Sequence, residues 1–245
     1  MNNRIEPKNA EKESMNLHLG FTINFSNIKN NIFIPGYYDP ETSLELKKLE
    51  STGKYSIKTI GKLVTEKLIS IKRGNEVGSQ FYGLGDIPFV RTSDIVNWEI
   101  KHDPVKSLPL EVYEKYKKNQ DIRENDILFV SDGTFLIGRT AIVTNADNMI
   151  VIQSHIKRIR CLNPTILHPY LLLFLLSTDI VQEQISEKTF VQATISTLGD
   201  RILELSLPIP KDTARIESIK QEIGSIIQHK IAAKIGMEKL FRQKL

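Results

Sequence analysis

Residues 213–245 read TARIESIKQEIGSIIQHKIAAKIGMEKLFRQKL. Apolar side chains recur there on a seven-residue period. One column holds Ile216, Ile223, Lys230 and Met237; the other holds Ile219, Ile226, Ala233 and Leu240. Such a stripe predicts a long helix that buries it against a facing helix, in the manner of a coiled coil. Lys230 in a core column lowers the stability of that pairing and helps to set its register. Pro208 and Pro210 stand just upstream and break the helix from the body. The competing outcome is a helix that folds back on its own domain. The expected layout is a globular body with a docking helix at its end.

Upstream, the chain reads as a single α+β body with many short strands and a few helices. Residues 1–14 are polar and charged and predict a disordered tail. Residues 15–54 form an N-terminal connector, in which Phe21–Phe25 alternates like a strand and Thr42–Glu50 predicts a short helix. The body spans residues 55–211. Asp126–Val130 (DILFV) is a near-continuous apolar run, as in a strand buried on both faces. Ile87–Arg91 and Gly138–Thr144 predict further strands, and Met149–Ile159 alternates in part. A helix is expected from His168-Pro169 to about Lys188, then a polar loop over Thr189–Ser196, a strand over Ile202–Pro210, and the spacer helix over 212–245.

The net charge of +4 is a mild bias toward anionic partners. Cys161 is the only cysteine, so no disulfide forms within the chain and no multi-thiolate zinc site is available. This pattern suits a reducing cytoplasm. The N-terminus has no apolar core for a signal peptide, and Tyr170–Leu176 (YLLLFLL) is far shorter than the ~20 residues that cross a bilayer. Catalytic motifs are absent. There is no phosphate loop, no zinc-protease or serine-hydrolase signature, and Gly83-Leu84-Gly85 lacks the third glycine of a dinucleotide fingerprint. The five histidines are scattered, so no metal ligand set is expected. No aromatic Asn/Asp-Pro-Pro loop of an adenine methyltransferase occurs.

Three segments carry a resemblance: Ile87-Pro88-Phe89-Val90-Arg91-Thr92-Ser93-Asp94-Ile95; Asn125-Asp126-Ile127-Leu128-Phe129-Val130 with Gly138-Arg139-Thr140-Ala141-Ile142-Val143; and Ile195-Ser196-Thr197-Leu198-Gly199-Asp200 with Leu205-Ser206-Leu207-Pro208-Ile209-Pro210 and the heptad helix. In that order they resemble the target recognition domain of the specificity subunit of type I restriction-modification systems, over about residues 55–245. Phe33-Ile34-Pro35-Gly36-Tyr37-Tyr38-Asp39-Pro40-Glu41 is similar to the connector that leads from an adenine-specific methyltransferase into such a domain. The family often has glycine where Asn125 stands, and often continues Pro210 with a second proline and a glutamine where Lys211-Asp212-Thr213-Ala214 stands.

The resemblance implies a non-catalytic, sequence-specific DNA-binding subunit. A full specificity subunit has two recognition domains and two spacer helices, so this chain would be half of one. It would read one half of a bipartite site and pair through its helix with a second copy or another half. It would also dock an adenine-specific DNA methyltransferase and a restriction or translocase subunit, which would hold the S-adenosylmethionine, ATP and magnesium. Over ~33 residues the helix would reach on the order of 50 Å. DNA contacts are expected from polar loops beside rigid strands: Lys72, Arg73, Asn75, Ser79, Gln80 and Tyr82; Arg91, Thr92 and Ser93; Ser131, Thr134 and Arg139; and Lys188, Gln192 and Thr194. Asp132 would repel phosphate unless it accepts from a cytosine amine or a neighbouring arginine. Two other readings compete. One is the recognition part of a split adenine methyltransferase-nuclease; the other is an interaction adaptor that never touches DNA.

Overall fold

The run Asp126–Val130 does become the centre of the molecule. In the computed structural model, which describes residues 20–133, 135–147, 149–192 and 195–242, β6 (Ile127–Val130) is buried at all four positions. It lies inside a four-stranded antiparallel sheet of order β2 (Ile69–Arg73), β10 (Ile156–Cys161), β6, β8 (Thr140–Ile142). Side chains alternate across the pleat. Ile127 and Phe129 face the layer of helices, whereas Leu128 and Val130 face a second apolar layer with Val90, Ile95, Ile100 and Ile152. Both faces are covered, which is why an antiparallel strand carries an unbroken apolar run.

The remaining elements clamp this sheet. In the connector, α1 (Glu41–Ser51) buries Leu46. β1 (Tyr55–Thr59) pairs antiparallel with β13 (Ser206–Pro210), and α2 (Ile60–Thr65) follows, capped by the Thr59 hydroxyl accepting from Lys62 N–H. β3 (Phe89–Val90) runs parallel to β9 (Val151–Ile152). β4 (Ile95–Val96) and β5 (Glu99–Ile100) form a hairpin whose turn, Asn97-Trp98, has φ of 49° and 69°. Those values match the type I′ turn that suits the strand twist. α3 (Leu110–Gln120) ends in the left-handed Asp121. Asn125, where the resembling family prefers glycine, has φ 68°; asparagine is among the few side chains that accept that region. β7 (Asp132–Gly133), β12 (Ile195–Thr197) and β11 (Phe190–Gln192) form a small separate sheet.

Four local expectations are corrected. Phe21–Phe25 forms no strand: Phe25 opens a 3-10 turn and is 80% exposed, and an extended segment with no pairing partner gains nothing as a strand. The helix expected up to Lys188 is two helices, α4 (Pro169–Leu176) and α5 (Asp179–Lys188). Ser177 and Thr178 break it by donating their hydroxyls back to Leu173 and Leu175 carbonyls, and Thr178 turns extended. The polar loop over Thr189–Ser196 is instead the β11–β12 hairpin, anchored by Thr197 opposite Asp132 of β7. The strand expected from Ile202 starts only at Ser206, because Gly199–Glu204 winds into a 3-10 helix that buries Ile202.

The terminal segment is one helix, α6 (Thr213–Arg242). It does not stand off the body as a rod of about 50 Å. Ile219, Ile223 and Ile227 are 3%, 5% and 3% exposed and join the core, flanked by Ile216 and Ile231. The facing helix is the chain's own α4. A Cβ on Gly224 would sit 3.2 Å from the Tyr170 ring of α4, so glycine there permits the close crossing. Lys230 is drawn to Glu99 at 2.7 Å and Lys234 to Asp147 at 3.3 Å. The docked residues advance by steps of three and four. Ile226, Ala233 and Leu240 lie about 60–100° around the helix from Ile223 at about 100° per residue, and Met237 lies about five turns on from Ile219; all four are exposed.

Candidate nucleic-acid interface

The densest basic stretch, Lys157-Arg158-Ile159-Arg160 on β10, turns inward. Asp126, only 1% exposed, accepts from Arg160 Nε at 2.7 Å and from its Nη2 at 2.8 Å. Arg160 Nη1 reaches Asp121 at 2.8 Å. Arg158 is 2% exposed and lies 3.9 Å from the same Asp126. Burial pushes the Asp121 carboxyl up, but hydrogen bonds from Arg123 and Arg160 override it and bring it down to about 2. Burial, reinforced by the Asp126 charge, pushes the Cys161 thiol up to about 12, so it packs as a small apolar group and is no nucleophile at neutral pH. Arg160 staples the sheet, while Arg158 is enclosed beside Asp126 with no hydrogen-bond partner for its Nε or Nη1 among the described residues.

A different polar edge remains at the Val130–Ile156 end of the sheet, while α6 is pinned to Glu99 and Asp147 beyond the Ile127–Ile142 end. Here β2 and β10 place Arg73 directly opposite Lys157. Each of these like charges has its own acid: Arg73 Nη2 lies 3.8 Å from Asp132, and Lys157 Nζ lies 3.5 Å from Asp200. Asp132 is itself held by the Ser131 hydroxyl at 2.8 Å and by the Thr197 hydroxyl. Gly133 brings β7 against Thr92, whose methyl lies 3.9 Å from where a Cβ on that glycine would be. Nearby, Arg201 stacks on Phe190 at 3.8 Å and donates to the Lys188 and Thr197 carbonyls.

The structure thus gathers Arg73, Thr92 and Ser131 around Asp132, and disperses the other candidate residues. Lys72 turns toward α3 and donates to the Asn119 carbonyl at 3.0 Å. Asn75 accepts from Gln120, a buried amide that also bonds both backbone groups of Ile152. Tyr82 packs beside Phe89, its hydroxyl on the Val77 carbonyl. Ser79 and Gln80 are exposed on a 3-10 turn. Arg91 holds Asp94 and Asp103, and Ser93 donates to Asp94. Ser131 is fully buried and serves Asp132. Arg139 is exposed, beside Asn97 and Trp98. Lys188 lies 5.1 Å over the Tyr37 ring. Gln192 belongs to β11. Thr134 and Thr194 lie outside the described residues, as does the 1–14 tail. Sequence reading missed Ser154, Thr197 and Arg201 as parts of this edge. Their signal was faint, since Ser154 and Arg201 work through backbone carbonyls and Thr197 through one hydroxyl.

Among the described residues, no group of three or more His, Cys, Asp or Glu side chains is placed to hold a metal, and no helix is long and apolar enough to cross a membrane. The family model of the type I restriction modification DNA specificity domain matches residues 54–245. No curated protein matches the chain. Among solved structures, the S subunit of a type I restriction-modification system from M. genitalium aligns with a TM-score of 0.51 at 14% identity, covering 77% of this chain and 43% of that one. The HsdS subunit from Thermoanaerobacter tengcongensis aligns with a TM-score of 0.44 at 14% identity, covering 80% and 45%. The chain therefore spans less than half the length of either.

Proposed function

The chain belongs to the type I restriction modification DNA specificity domain family, and we propose that it is a single reader of double-stranded DNA that joins its assembly through α6. In this reading the polar edge around Arg73, Asp132 and Thr92 faces DNA. Exposed cations such as Arg139 supply the salt-dependent part of binding. The chain reads one half of a bipartite site and catalyses nothing itself. Methyl transfer and cleavage belong to an adenine methyltransferase and a restriction subunit, which bring S-adenosylmethionine, ATP and magnesium.

The observation that carries this proposal is the division of labour around α6. Its docked face fixes the helix to the reading body, while Ile226, Met237 and Leu240 remain 41%, 53% and 67% exposed on the adjoining face. A continuous apolar column bordering a docked one fits a second helix lying alongside. A second copy, or another half-subunit, would then place two reading edges at a fixed separation. Because α6 is docked, that separation is set by the whole body and not by a free rod.

Removing residues 213–245 outright would also strip Ile219, Ile223 and Ile227 from the core, so the test belongs on the outward face. The double variant Met237→Glu, Leu240→Glu should keep the wild-type circular-dichroism spectrum, so it stays folded, and fall from dimer to monomer mass in sedimentation. A wild-type monomer, or an unchanged dimer in the variant, would refute pairing through this face. Duplex binding by the wild type should weaken steeply between low and physiological salt. Salt-insensitive, DNA-independent partner binding would favour the adaptor reading.

A further inference from the structure

One guanidinium on the polar edge is built differently from the rest. Gly74 has no Cβ for a reason: one would meet the Gln153 and Ile152 carbonyl oxygens at 2.2 and 2.5 Å. Glycine therefore lets the end of β2 press against residues 152–153, with Gly74 N–H bonded to the Ile156 carbonyl and Asn75 N–H to that of Ile152, at 2.9 and 3.0 Å. That anchors the backbone beneath Arg73. Its side chain is then held at two points: Nε donates to the Ser154 carbonyl at 2.6 Å, and Nη2 lies 3.8 Å from Asp132. Yet 58% of the side chain is exposed. No hydrogen bond among the described residues engages Nη1, so the outer Nη1/Nη2 edge of the fork is presented to solvent while Nε is tethered.

We propose that Arg73 reads a guanine base edge in the major groove, and that Asp132 is the positioning residue that aims it. The inference rests on the DNA-reading function above. Its physical basis is the choice between phosphate and base. A carboxylate 3.8 Å away repels an approaching phosphate. It costs little against the neutral O6/N7 acceptors of guanine, for which a planar arginine fork is the matching donor pair. Asp132 cannot swing away, because Ser131, Thr197 and the β7–β12 pairing fix it. A fork tethered before binding loses less side-chain freedom on contact.

The test is selection of bound duplexes from a random-sequence pool by the full-length chain and by Arg73→Ala, Arg73→Lys and Asp132→Asn. Arg73→Lys keeps the charge on an exposed side chain, so folding is preserved. The wild type should require guanine at one position of its half-site. Both Arg73 variants should lose that requirement, with affinity for the guanine-bearing site falling about tenfold to a hundredfold. Asp132→Asn should blur the same position while retaining non-specific duplex binding. The proposal is overturned if Arg73→Ala keeps every base preference and merely weakens all sequences alike, with a salt slope lower by about one, since that marks a phosphate contact. If the wild type selects no duplex at all, the DNA-reading function falls and this inference with it.

Discussion

Ile223 and Ile226 lie one turn apart on α6, yet the first is 5% exposed and the second 41%. The same contrast runs along the whole helix. Residues 216–234 present one face to α4 and the β4–β5 hairpin, whereas Ile226 beside that face and Ile235, Met237 and Leu240 beyond it are exposed. Apolar character does not separate the two faces: the docked one is all isoleucine, and the exposed one carries Ile226, Met237 and Leu240. The supply of partner surface separates them. α4 and the hairpin cover only one side of the helix, so the other side of the same stripe stays exposed; that is the face the proposed pairing would use.

The sharpest way to break this comparison is to truncate one residue on each face. Ile223→Ala removes core volume between α6 and α4 and should destabilise the fold by about 2–5 kcal/mol in denaturant titration. Met237→Ala should change it by no more than about 0.5 kcal/mol. Equal effects would mean that α6 is not docked as described.

Acid titration probes the polar side of the docking. Burial alone would raise the Asp147 carboxyl, but hydrogen bonds from His102 and Thr144 and the Lys234 charge hold it below the usual carboxylate range. Asp121, brought down to about 2, behaves alike inside the sheet staple. A carboxyl that titrates lower in the folded than in the unfolded chain leaves the folded state with fewer bound protons. Its stabilisation is complete above the unfolded pKa near 3.8 and is lost as pH falls through the folded value. The contribution of these two carboxyls should therefore be constant from about pH 7 to about 5 and fall below about 4. Lys234→Ala should shrink the part of that loss that belongs to Asp147, which pH-dependent unfolding of the variant would register. The smallest effect is expected at Lys230→Met. Its pair with Glu99 is partly exposed, so losing it should cost about 0–1 kcal/mol, and raising the salt concentration should narrow the difference from wild type.

Much of the fold was legible because its signals are local. The all-apolar β6, the helix-starting His168-Pro169 and the heptad of α6 each announce themselves within a few residues. The errors have local causes as well. Ser177 and Thr178 look like ordinary helix residues until their hydroxyls bond backward, and β11–β12 reads as a polar loop until β7 offers it an edge. The candidate interface was less legible. Charge alone does not separate Arg158 and Arg160 from Arg73. Burial does, because Asp126 at the foot of β6 holds the first two inside the sheet while Arg73 stays exposed.

The amino-acid sequence alone determined that a long amphipathic helix closes the chain, that a strand buried on both faces centres it, and that a single cysteine can make no internal crosslink. Periodicity and composition are properties of neighbours along the chain, so one sequence suffices to read them. Only the tertiary structure decided which isoleucine column finds a partner at home, which arginine staples the sheet, and that Arg73 meets Asp132. Those outcomes depend on distant segments arriving at the same place, and no pattern within either segment encodes where the other will lie.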